Sequence, residues 1–484
     1  MTLSSLPADV GQPGYDRTTV KTGVVHLGIG AFHRAHQAVV FDDALRSGDP
    51  RWGVLGVSLR SPGVRDQLQP QDDLYTVLVR DGEAEAMRIV GAVQGVLVAP
   101  EGPGAVVQAM ASPDVYLVTL TVTEKGYRLD PASGALIESD PDVAADLADL
   151  SAPCTAPGFL VAALAERRER GLAPFTVISC DNLPHNGARV RAAVLAMARA
   201  HDAGLADWIE AEGAFPATMV DRIVPATTPD DIDALAARLG VRDAGMVKTE
   251  PFTQWVVEDG FAGPRPDFAS LGVQLTDDVA PWEDAKLRLL NGAHSAIAYL
   301  GGLAGHDFVH QVVAVPTFAA YVDRLWDEAE TTLDPPPGLD VAVYRRELMA
   351  RFRNPALQHR TRQIAMDGSQ KLPQRLLAGC AVRLDRGQPI EALALAVAAW
   401  MRWQDGRDDA GETFVVDDPL AAITGRLVAD NALSLERGRA LMSVRAVFPA
   451  RLADDPAFTE PVLGAHAILY ERGAVGAVAT LVAS

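Results

Sequence analysis

The stretch that most limits what this chain can fold into is Val24-Val25-His26-Leu27-Gly28-Ile29-Gly30, followed by a helix-period pattern to about residue 46. A short apolar run closed by glycine reads as a buried strand. Turning directly from that strand into a helix takes a sharp bend, and glycine makes it without a steric penalty. A second apolar run, 52–59, follows roughly 30 residues after the first, the length of a strand–helix–strand unit. Further strand-like runs lie at 74–80, 87–98, 115–122 and 174–180, with helix-period stretches around 157–170 and 184–212. Strands alternating with helices predict a doubly wound, parallel α/β sheet of the kind that binds nucleotides.

The character changes near Pro281. Helix-period patterns follow at 282–303, 315–331, 340–352, 388–403, 418–428, 434–446 and 460–480, broken by the loop Pro335-Pro336-Pro337-Gly338. At 484 residues, more than one domain is expected. Residues 1–280 are read as the dinucleotide-binding α/β domain and 281–484 as a mainly helical substrate and catalytic domain. Residues 1–22 read as a polar lead-in. A ligand cleft is expected between the two domains.

Charge and cysteines exclude some classes of function. With 43 basic and 63 acidic residues the net charge is −20, which argues against non-specific binding to nucleic acid or to an anionic membrane. Cys154, Cys180 and Cys380 are too few and too scattered for a disulfide framework or a zinc site. A reducing cytoplasm and a metal-free mechanism are therefore expected. The first ten residues lack the basic and apolar regions of a signal peptide, and the apolar stretch 392–401 is too short to span a bilayer.

Several residues then stand out for their chemistry. Gly28 suits the tight turn, and Gly30 suits close approach of a pyrophosphate to the backbone, with Ala31 and Phe32 opening the helix behind it. His33 replaces the third glycine of the usual fingerprint, and an ordinary glycine turn is the rival reading. At the end of the second strand, Ser58 and Arg60 stand where a cofactor's ribose would be met. No carboxylate is there for NAD, and Arg60 with Ser58 and Ser61 suits the 2′-phosphate of NADP or is a solvated arginine in a turn, so these residues leave NAD and NADP about even.

Lys286, Asn291 and His294 share one helical stretch. At about 100° per residue, His294 lies roughly 80° around from Lys286 and Asn291 roughly 140°. An alcohol oxidised by hydride transfer needs a base for its proton and dipoles for the developing alkoxide. The rival reading is a solvated lysine, a surface asparagine and a core histidine.

Asn182, after the run Ser179-Cys180-Asp181, is a second donor to an alkoxide or a plain loop residue. Asp221 sits beside Arg222 within an apolar run; such a pair is costly to bury unless partnered, and it is either functional or purely structural. The segment 359–375 gathers Arg360, Arg362, Lys371 and Arg375, of which Arg360 and Lys371 are expected to face inward and neutralise a substrate carboxylate. A solvated basic helix face is the alternative.

Five stretches together carry a family resemblance: Gly-Ile-Gly-Ala-Phe-His-Arg-Ala-His, Thr-Val-Thr-Glu-Lys-Gly-Tyr (121–127), Met-Val-Asp-Arg-Ile-Val-Pro, Glu-Pro-Phe-Thr-Gln-Trp-Val-Val-Glu-Asp (250–259) and Lys-Leu-Arg-Leu-Leu-Asn-Gly-Ala-His. In this order, over nearly the whole chain, they resemble the polyol-specific long-chain dehydrogenases, the mannitol dehydrogenase family. The resemblance implies a Rossmann-type N-terminal domain with a mainly α-helical C-terminal domain, and a zinc-independent NAD(P)-linked oxidoreductase. It implies Lys286 as general base, Asn182 and Asn291 as alkoxide donors, His294 as the residue that orients substrate, and Asp221 as a contact to its hydroxyls.

Within the family, 354–377 is most similar to the fructuronate reductases (D-mannonate oxidoreductases), with Pro373-Gln374-Arg375 where mannitol-acting members tend to carry Pro-Lys-Phe. The expected substrate pair is D-fructuronate and D-mannonate. A polyol such as mannitol or arabinitol is the alternative, and a non-catalytic nucleotide-binding regulator a remote one. Ser58 departs from the asparagine that fructuronate reductases tend to carry in that stretch. Oligomeric state is left open.

Overall fold

The computed structural model describes residues 3, 6–130 and 133–484. The chain divides into two compact units, Met1–Ala280 and Pro281–Ser484.

Among its described residues the first unit holds eleven strands: β1 Thr22–Leu27, β2 Gly53–Ser58, β3 Tyr75–Asp81, β4 Ala84–Val90, β5 Val93–Val98, β6 Leu117–Leu120, β7 Thr176–Ser179, β8 Thr218–Asp221, β9 Val247–Thr249, β10 Gln254–Glu258 and β11 Gln274–Thr276. Five of them form a sheet in the order β5-β2-β1-β6-β7, and every pairing in it is parallel. Successive side chains of a strand point to opposite faces. In β1, Val25 and Leu27 therefore enter one hydrophobic cluster with Phe159 and Leu160, while Val24 enters another with Phe41, Trp52 and Trp255. Both faces are covered, as a parallel sheet requires. Two smaller three-stranded sheets, β11-β10-β8 and β4-β3-β9, complete the unit.

Three details differ from the sequence expectation. The run 87–98 is two strands in two sheets: β4 pairs with β3 and β5 with β2. The chain changes sheets at Gly91, whose N–H donates to the buried carboxylate of Asp42 (2.9 Å). The stretch 184–212 is two helices, Asn186–His201 and Ala203–Glu212, parted at Asp202, whose side chain caps the second. The polar lead-in falls partly on residues 1, 2, 4 and 5, outside the described residues. Of the remainder, Leu6 and Val10 are buried with Leu74, Leu78 and Ile89, so this stretch contributes to a core.

The second unit is built of helices. Gly292–Leu303 is buried along its whole length, and Glu391–Trp403 at every position but the first. Helices apolar on all sides belong at the centre of a bundle. These two pack on each other, and Pro316–Glu330 and Pro456–Ala483 pack around them.

Candidate active site

In the five-stranded sheet the chain moves outward from β1 in both directions, through β2 and β5 on one side and β6 and β7 on the other. The loops leaving the carboxyl ends of β1 and β6 diverge at this switch point and leave a crevice for ligands. Thr121, just past β6, ties the two loops together. Its N–H donates to the Leu27 carbonyl (3.0 Å) and its hydroxyl to the Gly28 carbonyl (2.8 Å). Gly28 has φ +94°, and a Cβ there would lie 2.3 Å from the Thr121 carbonyl oxygen, so only glycine fits.

Gly30 differs. A Cβ on it would meet nothing nearer than the Gly28 carbonyl oxygen at 3.8 Å. The protein's own packing does not demand glycine at Gly30, whereas a pyrophosphate lying against the backbone would. The helix behind it, Ala31–Ala35, opens with half-buried Ala31 and Phe32 and is only five residues long. The backbone breaks at His36 (φ −122°, ψ −89°), and a second helix, Gln37–Arg46, follows where one continuous helix was expected. The first-turn N–H groups of the short helix Ala31–Ala35 face an anion with little macrodipole behind them.

Beneath the loop, His33 stacks on His26 with ring centroids 3.4 Å apart. His26 meets the hydroxyls of Thr119 (2.7 Å) and Thr121 (2.9 Å) through its two ring nitrogens. Burial pushes His26 down to about 3 and His33 well below its ordinary value, so both are neutral.

The remaining candidates of this unit sit at strand ends. Ser58 closes β2 and donates to the Ser61 carbonyl (2.6 Å). Arg60 is exposed and enters no ion pair among the described residues. Asn182 is exposed just past β7. Asp221 is buried at the end of β8, opposite Gln254 of β10. Its neighbour Arg222 donates to the carbonyls of Glu250 (3.0 Å) and Ala35, and burial lowers the guanidinium to about 10.

In the second unit Lys286, Asn291 and His294 are all buried. The helix that carries them departs from α geometry. Lys286–Asn291 is a π turn, with the Gly292 N–H donating to the Leu287 carbonyl five residues back. A π turn closes over five residues. Residues five apart then line up about as closely as residues four apart in an α-helix. Asn291 is thereby brought round to the Lys286 side, and His294, three α residues further, returns to the same face. The angles expected for a plain α-helix are corrected accordingly.

The side-chain Nδ2 of Asn291 and Nε2 of His294 are buried and bonded to no protein atom. Buried donors and acceptors are rarely left so in a finished fold. His294 packs against Phe352 (4.6 Å) and edge-on to His359 (5.0 Å). Burial first, then His359, Arg351 and Arg375, hold it well below its ordinary value, so it is neutral.

A second π turn, Pro373–Leu377, has the Ala378 N–H donating to the Pro373 carbonyl. The two π turns touch: a Cβ on Gly292 would lie 3.0 Å from the Arg375 carbonyl oxygen. The Arg375 guanidinium donates to the Ser295 hydroxyl (3.1 Å), one residue from His294.

The other expected cations are placed differently. Arg360, expected inward, is exposed and lies over the Phe308 ring (5.1 Å). The reason is local: Arg360 is extended and bridges to Phe308. Alternation along extended backbone sends His359 towards His294 and Arg360 the other way. Lys371 is half-buried and donates to the carbonyls of Met366 (2.5 Å) and Ile364 (3.4 Å). Burial, then Arg375, lowers its ammonium to about 8. Arg375, of the four cations in 359–375, is the one tied to Ser295 beside His294. No periodicity signalled the π turn that carries it.

Among the described residues no group of three His, Cys, Asp or Glu side chains is placed to hold a metal ion. Among the same residues no helix is long and apolar enough to cross a membrane.

A parallel sheet with a glycine turn at its switch point, and a helical unit presenting lysine, asparagine and histidine on one face, define a Rossmann-type oxidoreductase. Residues 22–270 match the mannitol dehydrogenase Rossmann domain and residues 278–469 the mannitol dehydrogenase C-terminal domain. The chain is 46% identical to the uncharacterized oxidoreductase YeiQ of Escherichia coli over 97% of its length and 96% of that protein. It is 44% identical to the D-mannonate oxidoreductase of the same organism over 99% of both. A Pseudomonas fluorescens mannitol 2-dehydrogenase, solved as a ternary complex with NAD and D-mannitol, is 38% identical, with a TM-score of 0.87 over 100% of this chain and 98% of that one. The chain belongs to the mannitol dehydrogenase family and is an oxidoreductase.

Proposed function

We propose that this protein interconverts D-fructuronate and D-mannonate with NAD or NADP, NAD being favoured, by a metal-independent mechanism. The observation that carries this reading is the face of Lys286, Asn291 and His294. On it two buried polar atoms await hydrogen-bond partners, and the Arg375 guanidinium is tied to Ser295 beside it.

The nicotinamide cofactor, when bound, supplies the hydride acceptor or donor; Gly28, Gly30, Ala31 and Phe32 would hold its pyrophosphate, with Ser58 and Arg60 at its ribose. In oxidation, neutral Lys286 takes the proton of the reacting hydroxyl; in reduction it returns that proton to the oxygen. Asn291 donates through Nδ2 to the oxygen as negative charge develops, and Asn182 is assigned the same role. Neutral His294 fixes a substrate hydroxyl through Nε2. Asp221 accepts from hydroxyls further along the substrate. Arg375 takes the carboxylate, since a guanidinium offers two parallel donors. Lys371 is on the same segment, bonded to the carbonyls of Met366 and Ile364. The three free cysteines fit a reducing cytoplasm.

A neutral polyol such as mannitol is the second reading. The observation for it is that the groups offered by Asn291 and His294 are uncharged and suit any secondary alcohol. The test is absorbance at 340 nm with NADH and NADPH against D-fructuronate and D-fructose, and with both oxidised cofactors against D-mannonate and D-mannitol. Preference for the sugar acids is expected. Preference for mannitol transfers the function to the polyol, and no turnover of any pair retires both readings.

A further inference from the structure

Thr123, in the loop that follows β6, has φ 68° and ψ 165°. A residue with a Cβ rarely occupies that region, and such outliers persist only where their surroundings enforce them. Here the enforcing group is Asp181. Its Oδ1 accepts the Thr123 N–H (2.8 Å), and its Oδ2 accepts the Val122 N–H (3.1 Å) and the Tyr127 hydroxyl (2.6 Å). Tyr127 in turn is in hydrogen-bond contact with the Ser179 hydroxyl (2.5 Å).

Asp181 is buried, and no cation lies within ion-pair reach of it among the described residues. Burial raises its pKa against the pull of its donors. A buried carboxylate without a counter-ion is costly. Strand pairing does not need it, because β6 and β7 are joined through their backbones. Two features of its position show what it serves. The loop it holds begins at Thr121, which is tied to Gly28 at the switch point. The next residue in the chain is Asn182, exposed where Asp181 is buried.

We propose that Asp181 is a positioning residue for the reaction: it holds Thr123 in its strained conformation at the switch-point crevice and fixes the direction in which Asn182 presents its amide. Tyr127 is the second support, orienting the carboxylate. This rests on the proposed function for its catalytic consequence, but its structural claim can be read on the free protein.

The experiment has two readouts. Amide hydrogen exchange of Val122 and Thr123 in the free protein should be accelerated about tenfold or more by Asp181→Asn, and less by Tyr127→Phe. Turnover of Asp181→Asn should fall about tenfold or more with substrate KM little changed, as expected when a reacting group is displaced without loss of binding. Glycine occupies the Thr123 conformation without strain. Adding Thr123→Gly to Asp181→Asn should therefore recover part of the lost turnover.

Unchanged exchange at Val122 and Thr123, or a loss of turnover that Thr123→Gly does not relieve, would overturn the proposal. If Asp181→Asn does not fold, Tyr127→Phe carries the test, and unchanged exchange in that variant overturns it. Inactivity of the wild type on the substrate panel counts against the proposed function alone, because the exchange readout needs neither substrate nor cofactor.

Discussion

Replacing Lys286 by alanine removes the assigned base while leaving Asn291 and His294 on their face of the helix. Turnover should fall by at least about a hundredfold, the scale of general acid–base catalysis. Binding of reduced cofactor, followed by fluorescence titration, should persist. A variant that kept most of its turnover would place the base elsewhere. The carboxylate assignment is tested at Arg375. Charged hydrogen bonds contribute about 1.5–3 kcal/mol. Arg375→Leu should thus lower kcat/KM for fructuronate roughly ten- to a hundredfold, and leave a neutral polyol far less affected. Equal losses on acid and polyol would show that Arg375 does not read the carboxylate. Arg360→Ala separates the two placements: a selective loss there would return the carboxylate to the outward-facing cation over Phe308.

At the scale of elements, the two glycines of the turn should behave differently. Gly28→Ala forces a Cβ against the Thr121 carbonyl at positive φ, and should destabilise the first unit by about 1–3 kcal/mol in denaturant unfolding. Gly30→Ala meets open space, so stability should hold while cofactor affinity falls. Equal effects of the two on stability would mean that Gly30 serves packing. This turn was legible in the sequence because a strand, two glycines and a helix stand in unbroken order. The helical half was legible through its 3.6-residue period. The rest escaped for identifiable reasons. The sheet change at Gly91 lies inside a continuous apolar run, and what enforces it is Asp42, about 50 residues away in the chain. β8, β9, β10 and β11 are short, and β8 and β9 pair with strands that are not their neighbours in the chain. The π turn at Lys286–Asn291 adds one residue to a turn, so arithmetic at 100° per residue misplaces Asn291. The role of Asp181 depends on which backbone N–H groups fold onto it, which spacing does not encode.

Taken as a whole, the molecule buries neutral imidazoles in both units, and this sets how it should respond to acid. Burial holds His26 at about 3 and His33 well below its ordinary value in the first unit. In the second, His294 is held well below, and His359 and His466 at about 4. In the unfolded chain each titrates near about 6.5. Above that value neither state binds the proton and the contribution is fully present. As pH falls below it, the unfolded chain takes up protons that the folded chain refuses. Stability then drops by about 1.4 kcal/mol per pH unit for each such group, until the folded values are reached. An opposing effect exists, because acid also neutralises carboxylates and relieves the self-repulsion of a chain carrying −20. Ordinary carboxylates titrate near about 4, so the window between about pH 6.5 and 5.5 isolates the imidazoles. Thermal unfolding at constant ionic strength should be nearly level from pH 7.5 to about 7 and then fall by several degrees by about pH 5.5. Because the imidazoles are divided between the units, both transitions should shift if the units unfold separately. A midpoint level or rising through that window would show that these histidines are protonated within the fold. The neutral role given to His294 would then fall with it.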